Sequence, residues 1–331
     1  RLSRKKDFNK ELAEKFYACT MCMNCKVSCP AGVLIAEIIE SVRKRLVKEG
    51  YLPEIFEPFL KKIAQYGNPF EPNEERSLWV DFLKNVPDHK YEKKKARVVY
   101  FVGCVAAFFP LVQKIPQVFV HILERSNVDF TILGGEEWCC GFPLIQMGVP
   151  EKMKELVEHN QEKVEEVGAE SMVFACPSCY HTWKEKYHTN AELLHSTQFM
   201  ERLIDEGKIT FNHGFHKRVT YHDPCDLGRN SGIYDPPRDI LRQIPGLKLV
   251  ELKHHRQSSV CCGGGGDLEM TDPELSAAIA QKKIEEIQNT GAEVVVTSCQ
   301  QCIRTISGYA RKQDIDLKVM DITEVVLEAM G

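Results

Sequence analysis

The sequence predicts an α/β protein made of two copies of one parallel-sheet unit, preceded by a smaller, cysteine-bearing helical segment. Five cysteines occur in one order twice: Cys104, Cys139-Cys140, Cys176 and Cys179, then Cys225, Cys261-Cys262, Cys299 and Cys302. The intervening stretches are 34 and 35 residues in the first set and 35 and 36 in the second. Laid over one another at an offset of 121 to 123 residues, the two sets bring their surroundings into register as well. A match in order and period over that length indicates internal duplication rather than shared composition.

The elements follow from the aligned copies. Arg97-Val-Val-Tyr-Phe-Val-Gly-Cys104 lies over Arg218-Val-Thr-Tyr-His-Asp-Pro-Cys225, a short β-branched strand running into a cysteine in each copy. Gly168-Ala-Glu-Ser-Met-Val-Phe-Ala-Cys176 lies over Gly291-Ala-Glu-Val-Val-Val-Thr-Ser-Cys299, a second strand of the same kind. Between the adjacent pair and that strand each copy carries a helix, 151–167 and 273–289. Alternating strands and helices imply a largely parallel sheet. Ligands of such sheets gather beyond the carboxyl ends of the strands, where Cys104, Cys176, Cys225 and Cys299 are predicted to lie. The expected domains are 1–95, 96–216 and 217–331, a count that 331 residues can support with separate cores.

Bulk properties narrow the function. A hydrophobic content of 43% with 27% charged residues describes a folded, soluble chain. A formal net charge of −4 gives no electrostatic footprint for nucleic acid. The start, Arg1-Leu2-Ser3-Arg4-Lys5-Lys6, lacks the apolar core of a secretory signal. The most apolar run, 98–112, is broken by Cys104 and Pro110 and is too short to span a bilayer. A cytoplasmic location is therefore expected, with membrane association only through a partner subunit. Fourteen cysteines in such a chain point to metal or redox chemistry rather than to a disulfide framework.

In the N-terminal segment, Cys19-Thr-Met-Cys22-Met-Asn-Cys25-Lys-Val-Ser-Cys29-Pro30 has the spacing of a bacterial ferredoxin run, which folds thiolates around a cubane 4Fe-4S cluster. Zinc prefers two separated ligand pairs and suits this run poorly. Because the fourth cysteine of such a run ligates the other cluster in two-cluster ferredoxins, two arrangements stay open. Either all four cysteines bind one cluster, or a second run precedes Arg1, which is not a methionine. Val33, Leu34, Ile38, Val42 and Leu46 then mark a helix, with Arg43, Lys44, Arg45 and Lys48 as a solvated basic end and Gly50 as its stop. Turn chemistry follows at Gly67-Asn68-Pro69-Phe70-Glu71-Pro72, and Trp79 and Phe82 are expected in a core or docking face. The charge run Glu92-Lys93-Lys94-Lys95 reads as a solvated linker at a domain boundary.

Adjacent cysteines cannot easily serve one small ion, but they can bind different irons of an extended cluster, and the glycines after them admit bulky sulfide without a Cβ clash. A dinucleotide loop at Gly263 to Gly266 is disfavoured because Leu268 stands where a small residue is needed.

The two five-cysteine sets resemble the Rossmann-like CCG domains of the catalytic subunit of heterodisulfide reductase. They also resemble the iron-sulfur subunits of glycolate, lactate and glycerol-3-phosphate dehydrogenases. The Cys19 to Cys29 run ahead of two such domains resembles fused members of the group. The resemblance implies a ferredoxin-type domain with a cubane cluster on Cys19, Cys22, Cys25 and Cys29. It implies one noncubane 4Fe-4S cluster on Cys104, Cys139, Cys140, Cys176 and Cys179, and a second on Cys225, Cys261, Cys262, Cys299 and Cys302. Cys139, Cys140, Cys261 and Cys262 would belong to the reacting centres. Asp226 replaces the histidine that often follows the equivalent of Cys225, so His181, His254 and His255 are the nearby candidates for proton delivery. Two functions follow from the resemblance. One is reduction of a disulfide-type substrate with electrons from a flavoprotein, ferredoxin or membrane cytochrome b partner. The other is an electron relay within a flavin-dependent dehydrogenase or electron-transfer-flavoprotein complex, with no substrate of its own.

Overall fold

The computed structural model describes residues 8–70 and 76–331; the expectations placed on Arg1 to Lys6 and on Glu71-Pro72 lie outside the described residues. Two four-stranded sheets form, both parallel throughout. The first contains β1 (Val98–Phe101), β2 (Phe130–Thr131), β3 (Ser171–Phe174) and β4 (Glu192–His195), in the order β2-β1-β3-β4. The second repeats that order with β5 (Arg218–Tyr221), β6 (Lys248–Val250), β7 (Val294–Thr297) and β8 (Lys318–Asp321), as β6-β5-β7-β8. In each sheet the chain runs from the central strand to one edge, then crosses to the other side. The crevice between β1 and β3, and that between β5 and β7, is thus the topological switch point where α/β sheets bind ligands.

Fifteen α-helices surround the sheets among the described residues. The N-terminal segment contributes α1 (Lys10–Tyr17), α2 (Asn24–Ser28), α3 (Ile35–Lys48) and α4 (Glu57–Tyr66). The first repeat contributes α5 (Cys104–Phe108), α6 (Lys114–Arg125), α7 (Phe142–Met147), α8 (Lys154–Val167), α9 (Pro177–Lys186) and α10 (Ser196–Asp205). The second contributes α11 (Pro236–Gln243), α12 (Leu268–Thr271), α13 (Pro273–Gln288), α14 (Gln300–Lys312) and α15 (Ile322–Met330).

Because successive strand residues face opposite sides, each buried strand feeds two cores. Val98 and Tyr100 join an apolar cluster that continues through Phe119 and Ile122 into Tyr221, Val296, Ile322 and Val325 of the second repeat. Val99 and Phe101 face a separate cluster with Met172, Phe174 and Trp183. The shared core is closed reciprocally: α6 packs on α15 and α10 on α11, so the last helix of each repeat meets an early helix of the other. That pseudo-two-fold pairing turns the two switch points toward one another.

The N-terminal helices cover the first repeat through Tyr17, Leu46 and Phe56, which pack with Leu144, Met147 and Met153. Several expectations are corrected here. Arg43, assigned to a solvated basic end, is 0% exposed. Its guanidinium donates to the carbonyls of Phe16, Cys19, Gln146 and Gly266, so it ties three parts of the chain together. Of the two residues expected in a core or docking face, Trp79 is in the core and Phe82, 75% exposed, is not. The charge run at 92–95 is not a free linker. Lys93 N–H donates to Thr131 Oγ1, its ammonium pairs with Asp129, and Lys95 donates to the Glu166 carbonyl.

Candidate metal centres

The strands deliver their cysteines just beyond their carboxyl ends, three of them at the start of a helix and Cys225 in a turn. Cys104 opens α5, Cys176 caps α9 and Cys299 caps α14, with the Cys302 N–H donating to Cys299 Sγ at 3.4 Å. The positive end of a helix favours thiolate, so the backbone is prepared for anionic sulfur at these positions. Gly103 makes the approach possible: with φ of +81°, a Cβ there would sit 3.2 Å from Cys179 Sγ.

The adjacent pairs arrive in loops after β2 and β6. Each bends back on itself through a peptide N–H to sulfur contact, Gly141 to Cys139 and Gly263 to Cys261, both 3.4 Å. Asn160 holds the first loop: its Oδ1 accepts from Trp138 N–H at 3.0 Å and its Nδ2 donates to the Cys139 carbonyl at 3.2 Å. Glu137 locks that loop to the end of β1 by accepting from the N–H groups of Val102 and Gly103, both at 2.8 Å, and it pairs with the buried Arg76. In the second repeat Arg238, 0% exposed, makes a bidentate pair with Asp223 at 2.7 and 2.9 Å. Ser259 Oγ donates to the Asp223 carbonyl. The two loops are therefore braced by different residues doing the same task.

Within each set the thiols are close enough to hydrogen-bond in a chain. Cys104 adjoins Cys139, Cys139 adjoins Cys140, Cys140 adjoins Cys179, and Cys179 adjoins Cys176. In the second set Cys261, Cys262, Cys302 and Cys299 repeat the series, with Cys225 alongside. The thiol of Cys139 beside it pulls Cys140 down, and Cys261 does the same for Cys262. Hydrogen bonds to neighbouring sulfur push Cys104, Cys179 and Cys302 up. Burial does so for Cys225. All fourteen cysteines are free. Five convergent soft donors per site, with a vicinal pair, exceed what a tetrahedral zinc ion uses and suit an iron-sulfur cluster.

Both sets open on one cavity of about 300 Å³. Cys104, Cys140, Cys176 and Cys179 line one side, and Cys225, Cys262, Cys299 and Cys302 the other. Phe59, Phe70 and Phe109 supply apolar wall, and Arg304 lies with its guanidinium 3.8 Å from the centre of the Phe109 ring. Ser178, between Cys176 and Cys179, donates to Asp226 Oδ2 at 2.5 Å, joining the two repeats at the cavity edge. His181, His254 and His255 are not among the cavity's lining residues. The titratable oxygens on that wall include the carboxylates of Asp267 and Glu269. Asp267 Oδ2 is buried without a hydrogen-bond partner among the described residues. Burial pushes the Asp267 carboxyl up to about 7, against the pull of the Arg43 guanidinium.

The Cys19 to Cys29 run lies against the second repeat. The thiol of Cys22 adjoins that of Cys261. Arg229 donates to the Cys22 carbonyl at 2.6 Å and to the Ser259 carbonyl at 2.7 Å. The glycines after Cys262 have a further task beyond admitting sulfide. A Cβ on Gly265 would collide with the Thr20 carbonyl oxygen, and one on Gly266 with that of Cys19. Cys29 is apart from this contact, and peptide N–H groups of Val33, Ala31 and Gly32 hold its thiol down.

Sequence reasoning did not find Arg43, Asp267, Arg304 or His222. The last had a visible signal, since the aligned repeats set it opposite Phe101. A His222 ring nitrogen, Cys262 Sγ and Cys302 Sγ all lie within 4.8 Å of one another.

Two thiol-lined parallel-sheet domains closing on one cavity define a cysteine-ligated redox protein. Comparison with known proteins makes this particular. The cysteine-rich domain family model named CCG matches twice, at residues 98–184 and 219–307. The chain is 35% identical to a subunit of the dihydromethanophenazine:CoB–CoM heterodisulfide reductase of Methanosarcina barkeri, over 97% of this chain and 79% of that protein. It is 30% identical to the probable iron-sulfur-binding oxidoreductase FadF of Bacillus subtilis and 27% identical to the EtfAB:quinone oxidoreductase of Syntrophomonas wolfei. In both cases the match spans 96% of this chain and 47% of the relative. The chain belongs to the CCG cysteine-rich-domain family, as an iron-sulfur oxidoreductase component related to that heterodisulfide reductase. No helix among the described residues is long and apolar enough to cross a membrane.

Proposed function

We propose that this protein takes electrons from a redox partner and reduces a disulfide-type substrate in the cavity between its two repeats. The observation that carries the reading is that both five-cysteine sets face that one cavity. In this reading Cys19, Cys22, Cys25 and Cys29 hold a cubane 4Fe-4S cluster. Cys104, Cys139, Cys140, Cys176 and Cys179 hold one noncubane cluster, and Cys225, Cys261, Cys262, Cys299 and Cys302 hold the other. Such centres supply electrons one at a time, and two on one cavity match the two electrons that cleavage of an S–S bond consumes.

The remaining work falls to side chains. Phe59, Phe70 and Phe109 exclude water and seat the disulfide. Arg304 offers a cation to an acidic substituent beside it. Two thiols are released only if two protons arrive, and Asp267 can carry one on a carboxyl that retains a proton near neutrality. The partner, a flavoprotein, ferredoxin or membrane cytochrome b subunit, would deliver electrons at the N-terminal run. The Cys22 to Cys261 contact supports entry there and passage to the second set. That same contact, with the relative named EtfAB:quinone oxidoreductase, favours a second reading, a relay with no substrate of its own.

Iron and acid-labile sulfide counting of the anaerobically prepared protein tests the cofactor assignment. Three four-iron clusters correspond to about 12 irons per chain, and about four would sink it. With full iron, oxidation of a reduced viologen dye that depends on added disulfide establishes the reductase. Oxidation that responds only to a quinone or a flavoprotein establishes the relay.

A further inference from the structure

His222 follows β5 directly, and its main chain is fixed on both sides. Its N–H donates to the Val296 carbonyl of β7 at 2.9 Å, and its own carbonyl accepts from Thr297 Oγ1 at 3.0 Å. The side chain is 1% exposed. Its Nδ1 is buried and has no hydrogen-bond partner among the described residues. A ring nitrogen stands within 4.8 Å of the sulfurs of both Cys262 and Cys302. A buried polar nitrogen without a partner is costly, so a fold that keeps one in place ordinarily gives it something to bind.

The first repeat shows what the position does when nothing polar is needed. Phe101 occupies it and packs on Phe174 and Trp183, each with ring centroids 5.5 Å away. In the second repeat the three aligned positions are His222, Thr297 and Ile306. An all-aromatic cage beneath one set of thiols thus corresponds to an imidazole beneath the other. The two repeats share strand order and cysteine placement, so the exchange of a core phenylalanine for a histidine is a difference right beside the thiols.

We propose that His222 is a nitrogen contact of the second iron-sulfur centre, that the first centre has no such contact, and that His222 makes the second centre the more easily reduced of the two. Whether the nitrogen meets iron or donates its proton to sulfur, it stabilises the reduced form relative to an apolar neighbour, because hydrogen bonds and nitrogen ligation both raise cluster potentials. The placement suits the second set, which is the one that the Cys22 thiol reaches.

The inference rests on the second cysteine set holding an iron-sulfur cluster, and the experiment separates the two claims. The anaerobic holoprotein is first analysed for iron and sulfide beside a Cys261→Ala/Cys262→Ala variant. If that variant loses no iron, the cluster assignment fails, and this proposal with it. With iron at the second set established, pulsed EPR is recorded on reduced protein carrying 14N- or 15N-histidine, and the potentials of both centres are titrated. We expect a histidine nitrogen coupling on one centre only, lost in His222→Phe. The potential of that centre falls toward that of its neighbour, while the other is unmoved. His222→Gln, which restores an N–H donor of similar reach, recovers part of the shift. It also serves as the readout if His222→Phe cannot retain iron. Absence of histidine coupling in the wild type overturns the proposal. So does an unchanged pair of potentials in an iron-replete variant.

Discussion

Replacing Arg43 with methionine keeps the aliphatic stem and deletes the guanidinium. The head donates at 3.1 Å to the Phe16 carbonyl, 2.8 Å to Cys19, 2.7 Å to Gln146 and 3.2 Å to Gly266. It also lies 4.9 Å from the centre of the Tyr17 ring. Hydrogen bonds to a charged group contribute about 1.5 to 3 kcal/mol each. Four of them would far exceed the net effect, because burying the cation at 0% exposure costs several kcal/mol and the mutation removes that cost too. What remains after substitution is a set of buried carbonyls without donors, and a loss of about 3 to 5 kcal/mol is expected, as for other broken buried charge contacts. That is a large share of a typical folding free energy of about 5 to 15 kcal/mol. The assay is urea unfolding of the anaerobic holoprotein, read as a fall in midpoint at unchanged m value. Limited proteolysis should show the segment around Cys19 becoming accessible first. Arg43→Lys should recover only part of the loss, since one ammonium cannot reach both repeats and the N-terminal segment. A change below about 0.5 kcal/mol, the size of an ordinary surface substitution, would refute the idea that this residue clamps three parts of the chain.

Three further outcomes are expected. Gly266→Ala forces a left-handed residue, φ +65°, to carry a Cβ into the Cys19 carbonyl; a loss of about 1 to 3 kcal/mol and detachment of the N-terminal segment should appear in the same proteolysis experiment. Asn160→Ala leaves the Trp138 N–H and the Cys139 carbonyl unpaired at a site 0% exposed; about 1 to 3 kcal/mol is lost, and iron should fall at the first set while the second stays filled. Asp321 is 1% exposed, and burial pushes its carboxyl up from 3.8 to about 7. Its stabilising effect as a neutral acid is therefore complete below about pH 4 and is lost as pH rises toward 7. Against Asp321→Asn, the wild type should lose stability with a slope of up to about 1.4 kcal/mol per pH unit between pH 5 and 7, and parallel curves would contradict it.

Much of the centres was legible in the residues because cysteine spacing is a covalent property. The strand-to-cysteine distance in Arg97 to Cys104 and in Arg218 to Cys225 is set by the chain alone, and β-branched runs identify the strands that carry it. The helices at 154–167 and 273–288 were equally open to reading, from their position between the same two landmarks. Arg43 was misplaced for an instructive reason. Periodicity assigns a residue to a face of its own helix, but here the polar face of α3 meets carbonyls from three segments, which no local pattern reports. For Trp79 and Phe82 the pattern left core and docking face open, and only the packing put Trp79 in a core and left Phe82 at the surface.

By itself, the sequence determined the duplication, the parallel-sheet class, the two five-thiol sets and the separate four-cysteine run, since each follows from order and spacing along one chain. Only the tertiary structure decided that the two sets share a cavity, that Cys22 reaches the second of them, and that Asp267 rather than any of three histidines stands on the wall. The shared cavity depends on how α6 meets α15 and α10 meets α11, and the approach of Cys22 on how α2 meets the turn at Arg256–Ser258. A packing of that kind is chosen by the summed burial of many apolar side chains from distant segments, and no short stretch of residues encodes it.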